Sequence, residues 1–265
     1  MPHTHRKKHP PPQKRLQVTD DAGWTHVTTG GPRARRVLRT TNPDQILPAE
    51  APAALTLPDL QTQFTAHQRR WTASTTASVV RDTLRRVLGN LGSSSSGSAP
   101  LNIVCIGLGS PSGFLRGGWV DRRSVSMYQL AALVTIIEEC RASHPSTSTP
   151  TPVYAQDPVF NALDESLLDS LGVTVVQHPR AFDEISSRTL LFCPGAERAH
   201  LEQLLRADDR TPPVLFGGPL EDTESEVIGQ FARMRQSVRL PRFEEQEHAF
   251  WDMRVYYPAE TSEET

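Results

Sequence analysis

Residues 101–106, Leu-Asn-Ile-Val-Cys-Ile, are a short apolar, β-branched run that stops at Gly107. A run with almost no polar alternation must be covered on both faces, the situation of a central strand in a parallel sheet. Parallel strands need crossovers, and the chain supplies them. Residues 124–140 read as a long helix in which Val125, Tyr128, Ala131, Leu133, Val134, Ile136 and Ile137 leave little polar face. A second strand is expected over 152–156, followed by Asp157-Pro158. Asn161 can cap a helix through Leu171, Gly172 supplies a left-handed stop, and a third strand covers 173–176. The alternation continues with strands at 189–193 and 213–216 around a helix at 197–205. Thr223 and Glu226 then have capping-box spacing for a helix to about Arg235, and 238–240 and 250–257 are two last strands. Strands and helices alternating at this spacing predict an α/β fold of the three-layer, Rossmann-like kind, a mostly parallel sheet with helices on both faces.

What precedes this pattern differs in composition. Nine of the 22 prolines fall in residues 1–60, where no helical or strand period persists. Such a stretch buries too little apolar surface to offset its ordering entropy, so residues 1–70 are expected to be a disordered, basic, Pro-rich region. The domain is then expected over 71–258, with an acidic tail at 259–265. A helix opens the domain, with Val79, Val80, Leu84, Val87 and Leu88 on one face, Arg81, Arg85 and Arg86 on the other, and Gly89 as its stop. The Gly/Ser-rich residues 92–99 read as a flexible linker.

Charge is distributed unevenly. Residues 1–40 hold nine Lys/Arg against Asp20 and Asp21, a balance of +7, so the remaining residues carry −9 within a total of −2. The basic clusters fit a nucleic-acid contact, a nuclear import signal or a solvated tail, the last being the simplest. They lack the interleaved aromatic residues of a single-strand binding surface, so nucleic acid is not an expected partner. No run approaches the roughly 20 apolar residues of a membrane helix, and no apolar signal core opens the chain, which argues against secretion and membrane insertion. Three widely spaced cysteines make no disulfide framework and fit a reducing compartment. A cytoplasmic or nuclear location is therefore expected.

The sharpest local feature is the loop after the first domain strand, Gly107-Leu-Gly109-Ser110-Pro-Ser-Gly113. Glycine there permits a tight turn and close approach of backbone N–H groups to a ligand, and ligands of open α/β sheets gather at the carboxyl ends of strands. The spacing G-x-G-x-x-x-G departs from the dinucleotide fingerprint and lacks a P-loop lysine. Residues 114–123 are inserted before the helix, with Arg116, Trp119, Asp121, Arg122 and Arg123. Asp157 stands where a dinucleotide or methyl-donor site places its ribose-binding acid, 48 residues beyond Gly109 rather than the usual 20 or so. Two readings follow. Gly107, Gly109, Ser110, Gly113 and Asp157 bind a nucleotide-like small molecule, or the glycines make a turn and Asp157 caps another.

In their order and spacing these residues resemble the SRR1-like, or sensitivity to red light reduced, family. The resemblance rests on Ile103-Val-Cys-Ile-Gly-Leu-Gly-Ser110, Tyr128-Gln129-Leu130, Asp157-Pro-Val-Phe160 with Asp164 and Leu168, Leu171-Gly172, and the closing block His248-Ala-Phe-Trp-Asp-Met-Arg-Val-Tyr-Tyr-Pro258. It covers about residues 75–257. Where the family carries a Pro-His-Cys element after the fourth strand, this chain reads Cys193-Pro194-Gly195, which speaks against a metal, haem or nucleophile role for that element here. The resemblance implies a regulatory protein acting through protein partners, in a family linked to circadian or light signalling, regulation of haem synthesis and microtubule-related phenotypes. It implies no established reaction. The alternative is an enzyme or sensor that binds a nucleotide or S-adenosylmethionine at the glycine loop.

Other chemistry is sparse. Glu197/His200 and Glu245/His248 have Glu-x-x-His spacing, but di-iron sites of that kind belong to four-helix bundles, and surface neighbours are the simpler reading. His178, after the third strand, is a candidate acid or base at the crevice or an ordinary loop histidine. Cys105 is expected in the core, while Cys193, at a strand end, is the one thiol placed for a reactive role, or else a small buried side chain. No catalytic residue and no metal site is assigned.

Overall fold

The computed structural model describes residues 15–19, 25–29, 47–93, 102–114, 122–143, 151–206, 210–221 and 223–259. The chain divides into two compact units, residues 1–46 and 47–265. In the first, Arg15–Thr19 (β1) and Thr25–Thr29 (β2) pair antiparallel, Arg15 opposite Thr29. Their Thr and Val content suits a pleated ribbon.

The second unit begins well before residue 71. Leu57–Thr72 (α1) is opened by a capping box: the Thr56 side chain accepts the Asp59 amide and the Asp59 carboxylate accepts the Thr56 amide at 3.3 Å. Its Leu60, Phe64 and Trp71 are buried. The expectation of disorder through residue 70 is corrected here. A polar, Gln- and Arg-containing helix with only three inward apolar anchors gives a weak apolar period, and the prolines nearby stand before it or at its first turn, where proline is tolerated. Thr75–Ser93 (α2) follows and runs through Gly89 instead of stopping there; a Cβ at Gly89 would meet nothing within 4 Å. Of the expected linker, residues 92 and 93 belong to this helix, and 94–99 lie outside the described residues.

Asn102–Ile106 (β3) enters the sheet, and Arg123–Ser143 (α3) returns, buried along most of its length as its apolar composition requires. Val153–Gln156 (β4), Ala162–Ser170 (α4) and Thr174–Val175 (β5) come next. Asn161 caps α4 as expected, and Gly172 has φ +74°. Arg180–Asp183 (α5), Thr189–Cys193 (β6), Arg198–Leu205 (α6), Val214–Gly217 (β7) and Glu226–Arg233 (α7) complete the alternation. The N-cap of α7 is Ser225, not Thr223, whose hydroxyl instead accepts the Ser225 amide at 3.1 Å. Arg235–Arg239 (β8) and Arg254–Pro258 (β9) close the sheet, each displaced a few residues from expectation. A 3-10 turn at Glu247–Ala249 and a left-handed Asp252 (φ 51°) lie before β9.

The sheet order is β5-β4-β3-β6-β7-β9-β8. The first five strands are parallel and β9 runs antiparallel to both its neighbours. Alternate side chains of each central strand feed two separate apolar clusters. Ile103, Cys105, Leu190, Phe192, Val214 and Phe216 join the cluster that includes buried residues of α1, α2, α3 and α4. Val104, Ile106, Leu191, Cys193, Leu215 and Tyr256 join one that includes those of α5, α6 and α7.

Candidate functional site

The direction of sheet growth reverses between β3 and β6, because β3 connects onward to β4 on one side and β6 to β7 on the other. At such a switch point the ligands of doubly wound sheets collect, outside the carboxyl ends of the strands. Here the floor is bare backbone. Gly107 has φ +79°, and a Cβ on it would lie 2.4 Å from the Gly195 carbonyl carbon and 2.7 Å from the Ala196 nitrogen. Gly109 is also left-handed, at φ +72°, and a Cβ there would lie 2.6 Å from Ser126 Oγ on the first turn of α3. Gly107 is thus required by conformation and by close backbone packing, and Gly109 by its conformation.

On one side of this floor the loop is locked into the interior. The Gly109 amide donates to Asp157 Oδ2 at 2.7 Å, and the Val159 amide to Asp157 Oδ1 at 3.0 Å. Ser110 Oγ donates to Asp164 Oδ2 at 2.6 Å, the Ser112 amide to Asp164 Oδ1 at 2.9 Å, and the Gly113 amide to Ser110 Oγ at 2.8 Å. Burial pushes both carboxyls above the ordinary range, and these hydrogen bonds to their charged forms pull part of the way back. A strap of chain lies across the lock. The Ala49 amide donates to the Val159 carbonyl at 2.8 Å, Asn161 Nδ2 to the Ala49 carbonyl at 3.1 Å, and Glu50 forms a two-way bridge with Phe114. A Cβ at Gly113 would meet Ala49 Cβ at 2.7 Å.

Ser110 and Gly113 are interior residues, the Ser110 hydroxyl and the Gly113 amide both engaged within the fold. Gly107, Gly109 and Asp157 remain partly exposed. The glycine turn and the acid after the neighbouring strand do meet at one rim, joined by the Gly109–Asp157 hydrogen bond.

On the other side the contacts close into a circuit. The Gly107 amide donates to the Gln156 carbonyl at 3.3 Å. The side chain of Gln156, buried at the end of β4, accepts the Ala181 amide on Oε1 at 3.1 Å, and its Nε2 lies 3.1 Å from His178 Nδ1. The His178 ring stands 5.3 Å from Phe182 and 5.9 Å from His200, with Phe182 and His200 5.6 Å apart. His200 sits on α6, and the Gly195-Ala196 turn before that helix returns to Gly107. His178 and Gly195 are exposed, and His200 partly so.

Cys193 points into the apolar cluster below. It is buried and its thiol is pushed up to about 12 by desolvation, the opposite of what a reactive thiolate needs. Cys105, as expected, is core, and Cys140 is buried on α3. Of the Glu-x-x-His pairs, Glu197 is the N-cap of α6 and His200 belongs to the circuit, whereas His248 is exposed on the 3-10 turn. Among the described residues no group of three metal-ligating side chains converges, and no helix is long and apolar enough to cross a membrane. Arg116, Trp119, Asp121 and the N-terminal basic clusters except Arg15 lie outside the described residues; Arg123, at the start of α3, stacks 4.0 Å over the Phe114 ring.

Gln156, Phe182, Gly195 and His200 were not legible as site residues. Gly195 carried a usable signal, a glycine just past a strand end, where the missing Cβ permits the close backbone approach seen with Gly107. A glutamine ending an apolar run and a phenylalanine in a four-residue helix carried none.

The family model described as SRR1 domain matches residues 62–257, from within α1 to the end of β9. Neither the curated proteins nor the solved structures contain a match to the chain.

Proposed function

The chain belongs to the SRR1 domain family, and from that premise we propose that it is a regulatory protein whose Rossmann-like, three-layer domain responds to a nucleoside-bearing small molecule held at the β3/β6 crevice. The observation that carries the reading is the Gly107–Gln156–His178–His200 circuit at the switch point, a rim of bare backbone and partly exposed rings where ligands of doubly wound sheets collect. Asp157 fits the role of ribose acceptor, since each carboxylate oxygen holds one backbone amide and keeps a second lone pair. The glycine loop lacks the lysine that a phosphate-bearing ligand would use, which favours S-adenosylmethionine, a nucleoside methyl donor without phosphate. That donor therefore heads the ligands to be tried. The regulatory half of the reading is supported by the resemblance to the SRR1-like family and includes action in cytoplasm or nucleus through protein partners.

The test is thermal unfolding of the full chain with S-adenosylmethionine, S-adenosylhomocysteine, ATP and NAD. A ligand at a hundredfold excess over its Kd stabilises by about 2.7 kcal/mol. For a domain of this size each kcal/mol is about 2–4 °C, so a rise of about 5 °C or more is expected with at least one member and its loss in Asp157→Asn. No rise with any member overturns the small-molecule reading and leaves function by protein contact, for which Trp251, 59% exposed beside the left-handed Asp252, is the surface to mutate.

A further inference from the structure

The amide of Gln156 cannot be turned around. Its Oε1 accepts the Ala181 N–H, which obliges Nε2 to be the atom facing His178 Nδ1 at 3.1 Å. An amide nitrogen only donates, so Nδ1 must accept, and the neutral imidazole then carries its proton on Nε2. Nε2 has no acceptor among the described residues, and the His178 ring is exposed on one side while Phe182 and His200 contact it on others.

We infer that Gln156 is a positioning residue that presents His178 Nε2–H as a hydrogen-bond donor, making the His178–Phe182–His200 group a receptor for a planar heteroaromatic ring with an acceptor on its edge, the base of a nucleoside. This rests on the small-molecule reading of the crevice and names the part of the ligand that the rings take. The exposed His178 ring and the partly exposed His200 ring offer faces on which any base can stack, with buried Phe182 set edge-on behind them. The single fixed donor selects those with an unprotonated ring nitrogen or carbonyl oxygen, because an unmatched donor would lose its water on binding. The Gln156 carbonyl also accepts the Gly107 amide, so one residue ties the ring platform to the glycine turn.

Two measurements on the full chain separate this inference from the reading beneath it. The first uses no ligand: long-range ¹H–¹⁵N spectra should show His178 with Nδ1 unprotonated and Nε2 protonated. Gln156→Glu, whose carboxylate still accepts the Ala181 amide but also accepts from Nδ1–H, should put a proton on Nδ1. An Nδ1–H tautomer in the wild type overturns the inference. The second titrates adenosine as the probe. The His178 and His200 ring resonances should move, and affinity should fall about tenfold in Gln156→Glu and in His178→Phe, with partial recovery in His178→Gln, which restores a donor. If the panel ligands raise the melting temperature while these ring signals stay still, the base does not lie on the rings and the inference fails alone. If neither the melting temperature nor the rings respond, both readings fail together.

Discussion

The Ser110 hydroxyl donates to Asp164 Oδ2 at 2.6 Å across 54 residues of sequence, and both groups are buried. The same carboxylate accepts the Ser112 and Asn161 amides, so the glycine loop and the first turn of α4 are held by one side chain. Asp164→Ala would leave two buried donors, on Ser110 and Ser112, and the half-buried Asn161 amide without this acceptor. At about 1–3 kcal/mol for each unsatisfied group, the variant should lose about 3 kcal/mol or more in urea unfolding. A loss under 1 kcal/mol would mean the lock does not hold the loop.

The same site sets a pH dependence. Burial holds Asp157 and Asp164 above the ordinary carboxyl value of 3.8, so the folded state binds their protons more tightly than the unfolded chain does. Stability from these groups is then fully present below 3.8 and is lost as pH rises through their raised folded values. The difference in unfolding free energy between wild type and Asp164→Asn should therefore move in favour of the wild type as pH is lowered from 7 toward 4. Urea melts at three pH values measure it, and a difference moving the other way would reverse the assignment.

Two glycines should answer oppositely to alanine. At Gly107 a methyl group meets the Gly195 and Ala196 backbone at 2.4–2.7 Å in a left-handed conformation. The conformation alone costs about 1–3 kcal/mol, and backbone cannot swing aside, so Gly107→Ala should melt many degrees lower or fail to fold. Gly89 lies exposed within α2 with open space around it, and Gly89→Ala should stabilise by about 0.5–1 kcal/mol. Thermal melts of the pair decide the matter; a stabilised Gly107→Ala would mean the two loops do not touch.

The same contrast shows how much could be read before the coordinates. The Gly107 turn, the Asn161 cap and the 189–193 strand were legible because each is written in adjacent residues: a glycine after a β-branched run, a cap three residues ahead of an acid, an unbroken apolar run. Gly89 misled because a glycine that ends helices elsewhere is tolerated inside one whose neighbours supply packing. Trp71 was missed for a different reason. Its indole donates to Thr135 Oγ1 at 2.9 Å and its ring packs on Phe243 and Phe250, partners 64 to 179 residues away. No local pattern announces such a contact. The site divided along the same line: the presence of Gly107, Gly109 and Asp157 at one rim followed from topology. The fate of Ser110 and Gly113 depended on a strap at Ala49 that lay within a stretch read as unstructured.

Thiol chemistry supplies the last expectation. Desolvation pushes Cys140 and Cys193 up to about 12 and Cys105 well above its ordinary value. A thiol titrating near 12 is ionised in about one molecule in ten thousand at pH 8, and only the thiolate attacks. Labelling of the folded chain with an aromatic disulfide at pH 8 should therefore be slow at all three positions and limited by opening of the fold. Three equivalents should react at once in denaturing urea, since all three cysteines are free. Cys193→Ala should leave the ligand-induced melting rise intact, because the side chain faces the apolar cluster rather than the crevice. Rapid modification of Cys193 alone in the folded chain would show that the strand end opens to solvent and would return that thiol to the list of reactive groups.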